Sequence, residues 1–296
     1  MIQRNRNFYP PKARIEMNNN IIVPPNNMLG VTLKEKEFTQ FCDLIFRIAG
    51  ITMSASKKSL VTSRLAKRLA HHGLASYGDY FNMITAANGK TELQTAVDLL
   101  TTNETHFFRE PKHFDFLRQQ ILHAAKSGKA LRIWSAACST GEEPYTIAML
   151  LDEILGNNAP WEVIASDLNT QVLMQARSGL YAMDRMSEIP QYYLSNYCLR
   201  GTGSQEGKLL IGRKLRERVQ FIQHNLTDPP PKLGQFDIIF LRNVLIYFNQ
   251  DTKSKVVARL LPLLRSGGYF LVGHSETLNG VAPEVRLIQP AVYLKP

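Results

Sequence analysis

Between Asp43 and Asp79 the chain has no acidic residue, although Arg47, Lys57, Lys58, Arg64, Lys67 and Arg68 all fall inside that span. Acidic residues are outnumbered in the whole sequence too, 25 against 35 basic, and the formal net charge of +10 implies a polyanionic partner, either nucleic acid or an acidic protein surface. Cysteine is scarce too. Cys42, Cys138 and Cys198 form an odd set without a CxxC pair, which argues against a disulfide framework or a zinc site, gives no reason to expect a metal, and fits a reducing cytoplasm. No apolar run reaches the ~18 residues needed to cross a bilayer, so direct membrane insertion is not expected. The opening residues MIQRNRNFYPPKAR lack the apolar core of a secretion signal.

Residues 1–30 are rich in Asn and Pro and have no hydrophobic periodicity, so a disordered tail is expected there. From Thr32 the pattern turns helical. Thr32 and Glu35 have the spacing of a capping box, and Phe38, Phe41, Leu44, Ile45 and Ile48 follow at helical intervals until Gly50. Further helices are expected over 56–72, 77–86 and 90–100, giving a helical domain at 31–108 and a second domain at 109–296. On the second helix Lys57, Arg64, Arg68 and His71 share one face, beside Val61, Leu65 and Leu69. With Lys58 and Lys67 they are either a docking surface for an acidic partner or a solvated face.

Leu131 to Ala136 reads as an apolar strand that stops at the small residues Ala137 to Gly141, and Glu142 and Glu143 then open a helix. This is the strand–turn–helix unit of a nucleotide-type site, in which a ligand approaches the turn and the helix start. The turn has one glycine where a dinucleotide fingerprint has three, so alone it reads equally as an ordinary βα turn. The strand WEVIASD ends at Asp167, where a carboxylate can accept hydrogen bonds from both hydroxyls of a ribose. A Gly-bearing basic segment at about 196–218 interrupts the alternation and is expected to be a small antiparallel insertion. The later strands RVQFIQHN, FDIIFLRN and GGYFLVG, and the closing hairpin VRLIQPAVYLKP, complete a mostly parallel α/β sheet with an antiparallel end strand, the methyltransferase variant of that architecture.

Five ordered blocks then carry a resemblance: NETHFFRE from Asn103, WSAACSTGEEPYTIAM from Trp134, ASDLNTQVLMQARSGLY from Ala165, FLRNVLIYF from Phe240 and SGGYFLVGHSE from Ser266. From Thr32 onward the sequence closely resembles the chemotaxis receptor methyltransferases, S-adenosylmethionine-dependent enzymes that esterify glutamates on bacterial chemoreceptors. The resemblance implies a class I, Rossmann-like methyltransferase domain, an N-terminal all-α domain that docks receptors, and an inserted β-subdomain that in some members binds a C-terminal pentapeptide tether. It also implies S-adenosylmethionine as cofactor, S-adenosylhomocysteine as product, methyl-accepting chemotaxis receptors as partners, and a cytoplasmic monomer. Asn103, Thr105, Arg109, Glu142, Glu143, Asp167, Asn225, Leu226, Arg242 and Asn243 match cofactor-contacting positions, with Glu142 favoured over Glu143. Arg109 and Tyr247 match the reactive end and the acceptor pocket. His106 and Glu104 receive no role, and His274 reads as a structural hydrogen-bonding residue.

The chemistry is consistent with that assignment. A glutamate side chain titrates near pH ~4.3, so at neutral pH the nucleophile is already ionised and no strong base is needed. Catalysis then consists of aligning and desolvating the carboxylate. Two rivals exist: a nucleic-acid methyltransferase and a non-catalytic module that binds the cofactor and a receptor. The stretch Asp228 to Pro231 resembles the DPPY loop of amino-methylating enzymes. It ends in proline rather than a stacking ring, however, and precedes the strand it should follow. Nucleic acid is therefore not the expected substrate.

Overall fold

The computed structural model describes residues 2–3, 31–128, 130–156 and 158–296. Most of the expected tail lies outside the described residues, but Ile2–Gln3 form a short strand, β1. The chain divides into two compact units between Thr102 and Asn103. That is earlier than the expected boundary at 108/109, because the intervening residues bond into the second unit. The Ser139 hydroxyl donates to the Asn103 carbonyl at 3.0 Å, Phe107 packs edge-on to Tyr181 at 5.0 Å, and the Phe108 N–H donates to Thr146 Oγ1 at 3.2 Å.

The first unit is built from α1 (Glu35–Ala49), α2 (Lys58–His71), α3 (Tyr77–Thr85) and α4 (Lys90–Leu100). Each buries residues three or four apart, such as Phe38, Phe41 and Ile45 on α1 and Val61, Leu65 and Leu69 on α2. The expected Thr32/Glu35 box is replaced by a shifted one. The helix starts at Glu35, so the carboxylate that reaches back belongs to Glu37, which accepts the Lys34 N–H at 2.8 Å.

The basic face of α2 is also corrected. Arg68 makes a bidentate pair with Glu92 of α4, at 2.7 and 2.6 Å, and the Tyr80 hydroxyl donates to the same carboxylate at 2.7 Å. Burial alone would raise the Glu92 carboxyl, but hydrogen bonds from Arg68, Tyr80 and His72 bring it down to about 2. Arg64 donates to the Leu99 and Thr101 carbonyls at 3.1 and 2.7 Å, satisfying the open end of α4. Lys58 pairs with Glu35. Carboxylates remote in sequence therefore balance this face, and only Lys57, Lys67 and His71 remain exposed on it.

The second unit runs α5 (Pro111–Ser127), β2 (Leu131–Ala136), α6 (Glu142–Leu155), β3 (Trp161–Asp167), α7 (Thr170–Ser178), β4 (Leu180–Ala182), α8 (Gln191–Tyr197), β5 (Cys198–Gly201), β6 (Lys208–Ile211), α9 (Arg213–Arg216), β7 (Val219–Gln223), β8 (Phe236–Leu241), α10 (Gln250–Leu260), β9 (Leu264–Val272), β10 (Arg286–Gln289) and β11 (Val292–Leu294). Seven strands form the main sheet in the order β10-β11-β9-β8-β2-β3-β7. Its inner pairs are parallel, while β11 runs antiparallel to both neighbours, as the closing hairpin requires. Every residue of β8, and all but one residue in each of β2 and β3, is buried, as expected for strands covered on both faces. This is the class I S-adenosylmethionine-dependent methyltransferase fold.

The small second sheet has the order β1-β5-β6-β4. The insertion expected at 196–218 is therefore wider. It already begins at Leu180, and its far end is the helix α9 rather than a strand. β4 is only three residues long and pairs with Lys208–Leu210, a contact that no local pattern reveals. Among the described residues no helix is long and apolar enough to cross a membrane.

Candidate active site

The order of the main sheet reverses between β2 and β8, the place where open α/β sheets hold their ligand crevice, outside the carboxyl ends of the strands. The turn after β2 supplies one wall. Ala137 and Ser139 take left-handed backbone angles (φ 66° and 50°), as does Gly141 (φ 95°). Only the last position demands glycine for space, since a Cβ there would lie 2.8 Å from the Ala176 Cβ. The turn is held by its partners. The Cys138 N–H donates to the Ser166 carbonyl at 2.8 Å, the Ser139 N–H to Asp167 Oδ2 at 2.8 Å, and the Tyr181 hydroxyl to the Thr140 carbonyl at 2.7 Å. Asp167 Oδ1 accepts the Asn169 N–H at 2.9 Å, so both carboxylate oxygens are aimed by backbone groups. Cys138 is fully enclosed, and burial pushes its thiol up, which makes it no nucleophile.

The two glutamates that open α6 have different roles. Glu143 is consumed by the protein, accepting the Ser135 hydroxyl and Arg242 Nη1, each at 2.7 Å. Glu142 is 1% exposed, and its Oε2 accepts the Thr140 hydroxyl at 2.6 Å. Its Oε1 has no cation nearer than Arg185 Nη1 at 3.8 Å, and burial raises its carboxyl above the ordinary range. A buried carboxylate whose nearest cation is this distant can face a cationic ligand.

The opposite wall is Asn103 to Glu110. Arg185 donates to the Thr105 carbonyl at 2.6 Å, and Arg109 Nη1 donates to the Glu104 carbonyl at 2.7 Å. Arg242, at the end of β8, is 6% exposed and ties the walls together. Besides Glu143 it reaches Glu110 Oε2 at 2.9 Å and the Arg109 carbonyl. Asn243 takes a left-handed angle (φ 57°). Its N–H donates to Glu276 Oε2 at 2.8 Å and its side-chain amide to Glu110 Oε1 at 3.2 Å. The Glu276 carboxylate also accepts the Ile246 N–H at 3.2 Å, one residue before the half-buried Tyr247. Nearby, Asn225 Oδ1 accepts the Thr227 N–H and hydroxyl at 3.1 and 2.9 Å, beside the buried Leu226.

The crevice thus gathers Asn103, Thr105, Arg109, Glu142, Asp167, Arg242 and Asn243. It also includes Glu110 and Glu276, which sequence reasoning did not single out although both lie inside the matching blocks. One signal for Glu110 is the proline that follows it and fixes the first turn of α5. Glu110, His113 and His274 bring ligand-type atoms within 4.8 Å of one another. The carboxylate of that trio already carries the Arg242 cation, so the cluster functions as an ion-pair network.

Comparison with known proteins matches both parts of the chain to one family. The all-alpha domain of CheR methyltransferases matches residues 36–101, and their SAM-binding domain matches residues 103–293. The chemotaxis protein methyltransferases of Salmonella typhimurium and Escherichia coli are each 40% identical to this chain over 266 residues, covering 89% of it and 91% and 92% of theirs. Chemotaxis protein methyltransferase 2 of Pseudomonas aeruginosa is 41% identical over 260 residues, covering 87% of this chain and 92% of that one.

Proposed function

The chain belongs to the chemotaxis receptor methyltransferase family, and we propose that the crevice at the carboxyl ends of β2, β3 and β8 is where it esterifies receptor glutamates. It is a methyltransferase that uses S-adenosylmethionine and releases S-adenosylhomocysteine, and its acceptors are glutamate side chains of bacterial chemoreceptors. When bound, the cofactor supplies a methyl group made electrophilic by its sulfonium. The carboxylate of Asp167 receives the ribose hydroxyls, Asn225 and Leu226 flank the adenine, and Glu142 faces the positive end of the ligand. Asn103, Thr105, Arg242 and Asn243 line its methionine portion. The Arg109 guanidinium pairs with the incoming glutamate carboxylate, and Tyr247 borders it. Holding that carboxylate in line is the main catalytic task, because the nucleophile is ionised before it arrives.

The observation that carries this reading is the buried Glu142 carboxylate, whose nearest cation is the half-exposed Arg185 at a long 3.8 Å. Titration with S-adenosylhomocysteine tests it. We expect saturable binding that weakens about tenfold in Glu142→Gln, from loss of one charge-assisted contact. Methyl transfer to receptor-containing membranes, with base-labile product, tests the acceptor. Label appearing only on added RNA would overturn the receptor reading, and absent cofactor binding would overturn both.

Docking is assigned to two surfaces. On α2 the exposed Lys57 and Lys67 offer positive charge to an acidic receptor surface, whereas Lys58, Arg64 and Arg68 hold the helical unit together. The β-subdomain offers strand backbone to a receptor C-terminal pentapeptide, by the same pairing that β1 makes with Arg200 and Gly201. Reversing Lys57 and Lys67 to Glu should raise the receptor KM about three- to tenfold and leave S-adenosylhomocysteine affinity unchanged, since rim charges act mainly on encounter. Running the assay on receptors with and without the pentapeptide separates the two surfaces. An unchanged KM on both would show that the α2 lysines are merely solvated. The enzyme is expected to work as a cytoplasmic monomer, which sedimentation of the purified protein checks.

A further inference from the structure

Glu110 has no part in the chemistry above, yet it holds the centre of the site. The backbone on either side of Arg109 is left-handed, at Phe108 (φ 54°) and at Glu110 itself (φ 59°). Such angles cost a side-chain-bearing residue roughly 1–2 kcal/mol each, so the loop persists only because its surroundings impose it. Phe108 is fixed by its N–H to Thr146, and Glu110 by what its carboxylate collects from two remote segments and from His113 on the following helix. Oε2 lies 2.9 Å from Arg242 Nη2 and 3.3 Å from His113 Nδ1. Oε1 accepts the Asn243 side-chain amide and the His274 N–H, each at 3.2 Å. Burial would raise this carboxyl, but bonds from His113, Arg242 and Asn243 keep it well below the usual carboxylate range, so it stays charged.

The same Arg242 nitrogen that meets Glu110 also donates to the Arg109 carbonyl, pinning the residue that bears the acceptor-facing guanidinium. On the other side Asn243 begins the turn that carries Tyr247, and Glu276 staples that turn through the Asn243 and Ile246 N–H groups. The Glu110 carboxylate is thus bonded to the loop of Arg109 through Arg242 and to the loop of Tyr247 through Asn243. We infer that Glu110 is a positioning residue for methyl transfer, setting the separation of Arg109 and Tyr247 across the acceptor carboxylate without touching either reactant.

The inference rests on the roles given to Arg109 and Tyr247 above. In-line attack tolerates little misplacement, and an error of about 1 Å costs roughly 10²-fold in rate. The cofactor wall made by Asp167, Glu142 and the turn at 137–141 is held by other bonds, and Arg242 and Asn243 on the methionine side keep Glu143 and Glu276 as anchors when Glu110 is changed.

Glu110→Gln keeps the size and one accepting oxygen but removes the charge facing Arg242. With kcat, receptor KM, S-adenosylhomocysteine Kd and melting temperature measured together, we expect kcat to fall about 10- to 100-fold while Kd moves less than about threefold. In a double-mutant cycle, Glu110→Gln should add little to Arg109→Ala, because both remove the same alignment. Wild-type kcat, an equal loss of cofactor affinity, or fully additive effects would overturn the proposal. A fully active Arg109→Ala beside a slow Glu110→Gln would overturn the Arg109 assignment instead, and would support Glu110 acting through Tyr247. If the glutamine variant does not fold, Glu110→Asp, which keeps the charge but withdraws it from Asn243, should show the same split between kcat and Kd.

Discussion

Arg109→Ala is expected to lower kcat/KM for receptor methylation about 10²-fold, or about 2.7 kcal/mol of transition-state stabilisation, while the protein stays folded. The guanidinium is well supplied for recruitment. Its Nη1 rests on the Glu104 carbonyl at 2.7 Å, and among the described residues no carboxylate forms an ion pair with it. The backbone of Arg109 is fixed through the Arg242 bond to its carbonyl, so deleting the side chain leaves the loop intact. Arg109→Lys should recover only part of the rate, because a lysine cannot hold a carboxylate in the bidentate manner that sets its orientation. Single-turnover methyl transfer with saturating cofactor measures the chemical step. Rates within about threefold of wild type for the alanine variant would remove Arg109 from the mechanism.

Arg242→Met should be the most destabilising of the substitutions considered. The side chain is 2% exposed and pairs with Glu110 at 2.9 Å and Glu143 at 2.7 Å. Removing it leaves two largely buried carboxylates without their cation, a change that costs about 3–5 kcal/mol and lowers the melting temperature by roughly 10 °C in a unit of this size. The pH dependence should also change. In the wild type Glu110 is held below its unfolded value, so its contribution is present above pH ~4.3 and is lost as pH falls through the folded value. In the variant the Arg242 bond and charge no longer offset the burial of Glu110, so its carboxyl moves up and the loss of stability grows as pH rises. Thermal melts at pH 5 and pH 8 measure this. The gap from wild type should widen at pH 8, and a gap that narrows would show that Arg242 is not the counter-ion of these glutamates.

The parts of the molecule legible in the sequence were those whose signal is local. The spacing of Phe38, Phe41 and Ile45, the apolar run into Ala136, and Asp167 at the end of its strand each express one element's own periodicity. What escaped was contact between distant elements. Arg68 looked unpaired because Glu92 lies on another helix, 24 residues away. Leu180–Ala182 is too short to show alternation, and its pairing with β6 spans the whole α8 excursion. Glu37 rather than Glu35 caps α1 because the helix begins two residues later than a Thr32 cap requires. Glu142 was favoured over Glu143 by resemblance alone, since nothing local in the residues tells the two apart. Only the position of Arg242, 99 residues on, separates the one that is neutralised from the one that is not.

Among the described residues six non-glycine positions have positive φ, and five of them line the site: Phe108, Glu110, Ala137, Ser139 and Asn243. Pressures on stability and on turnover therefore pull apart within one small region. A search for heat resistance alone would favour glycine at Ala137, where relief of backbone strain outweighs the loss of one methyl group. The same substitution at Glu110 or Asn243 would relax the backbone and discard the bonds that hold the two walls in register. Consensus or screening campaigns that score melting temperature can use the sheet and the helical unit freely, and should leave these five positions alone.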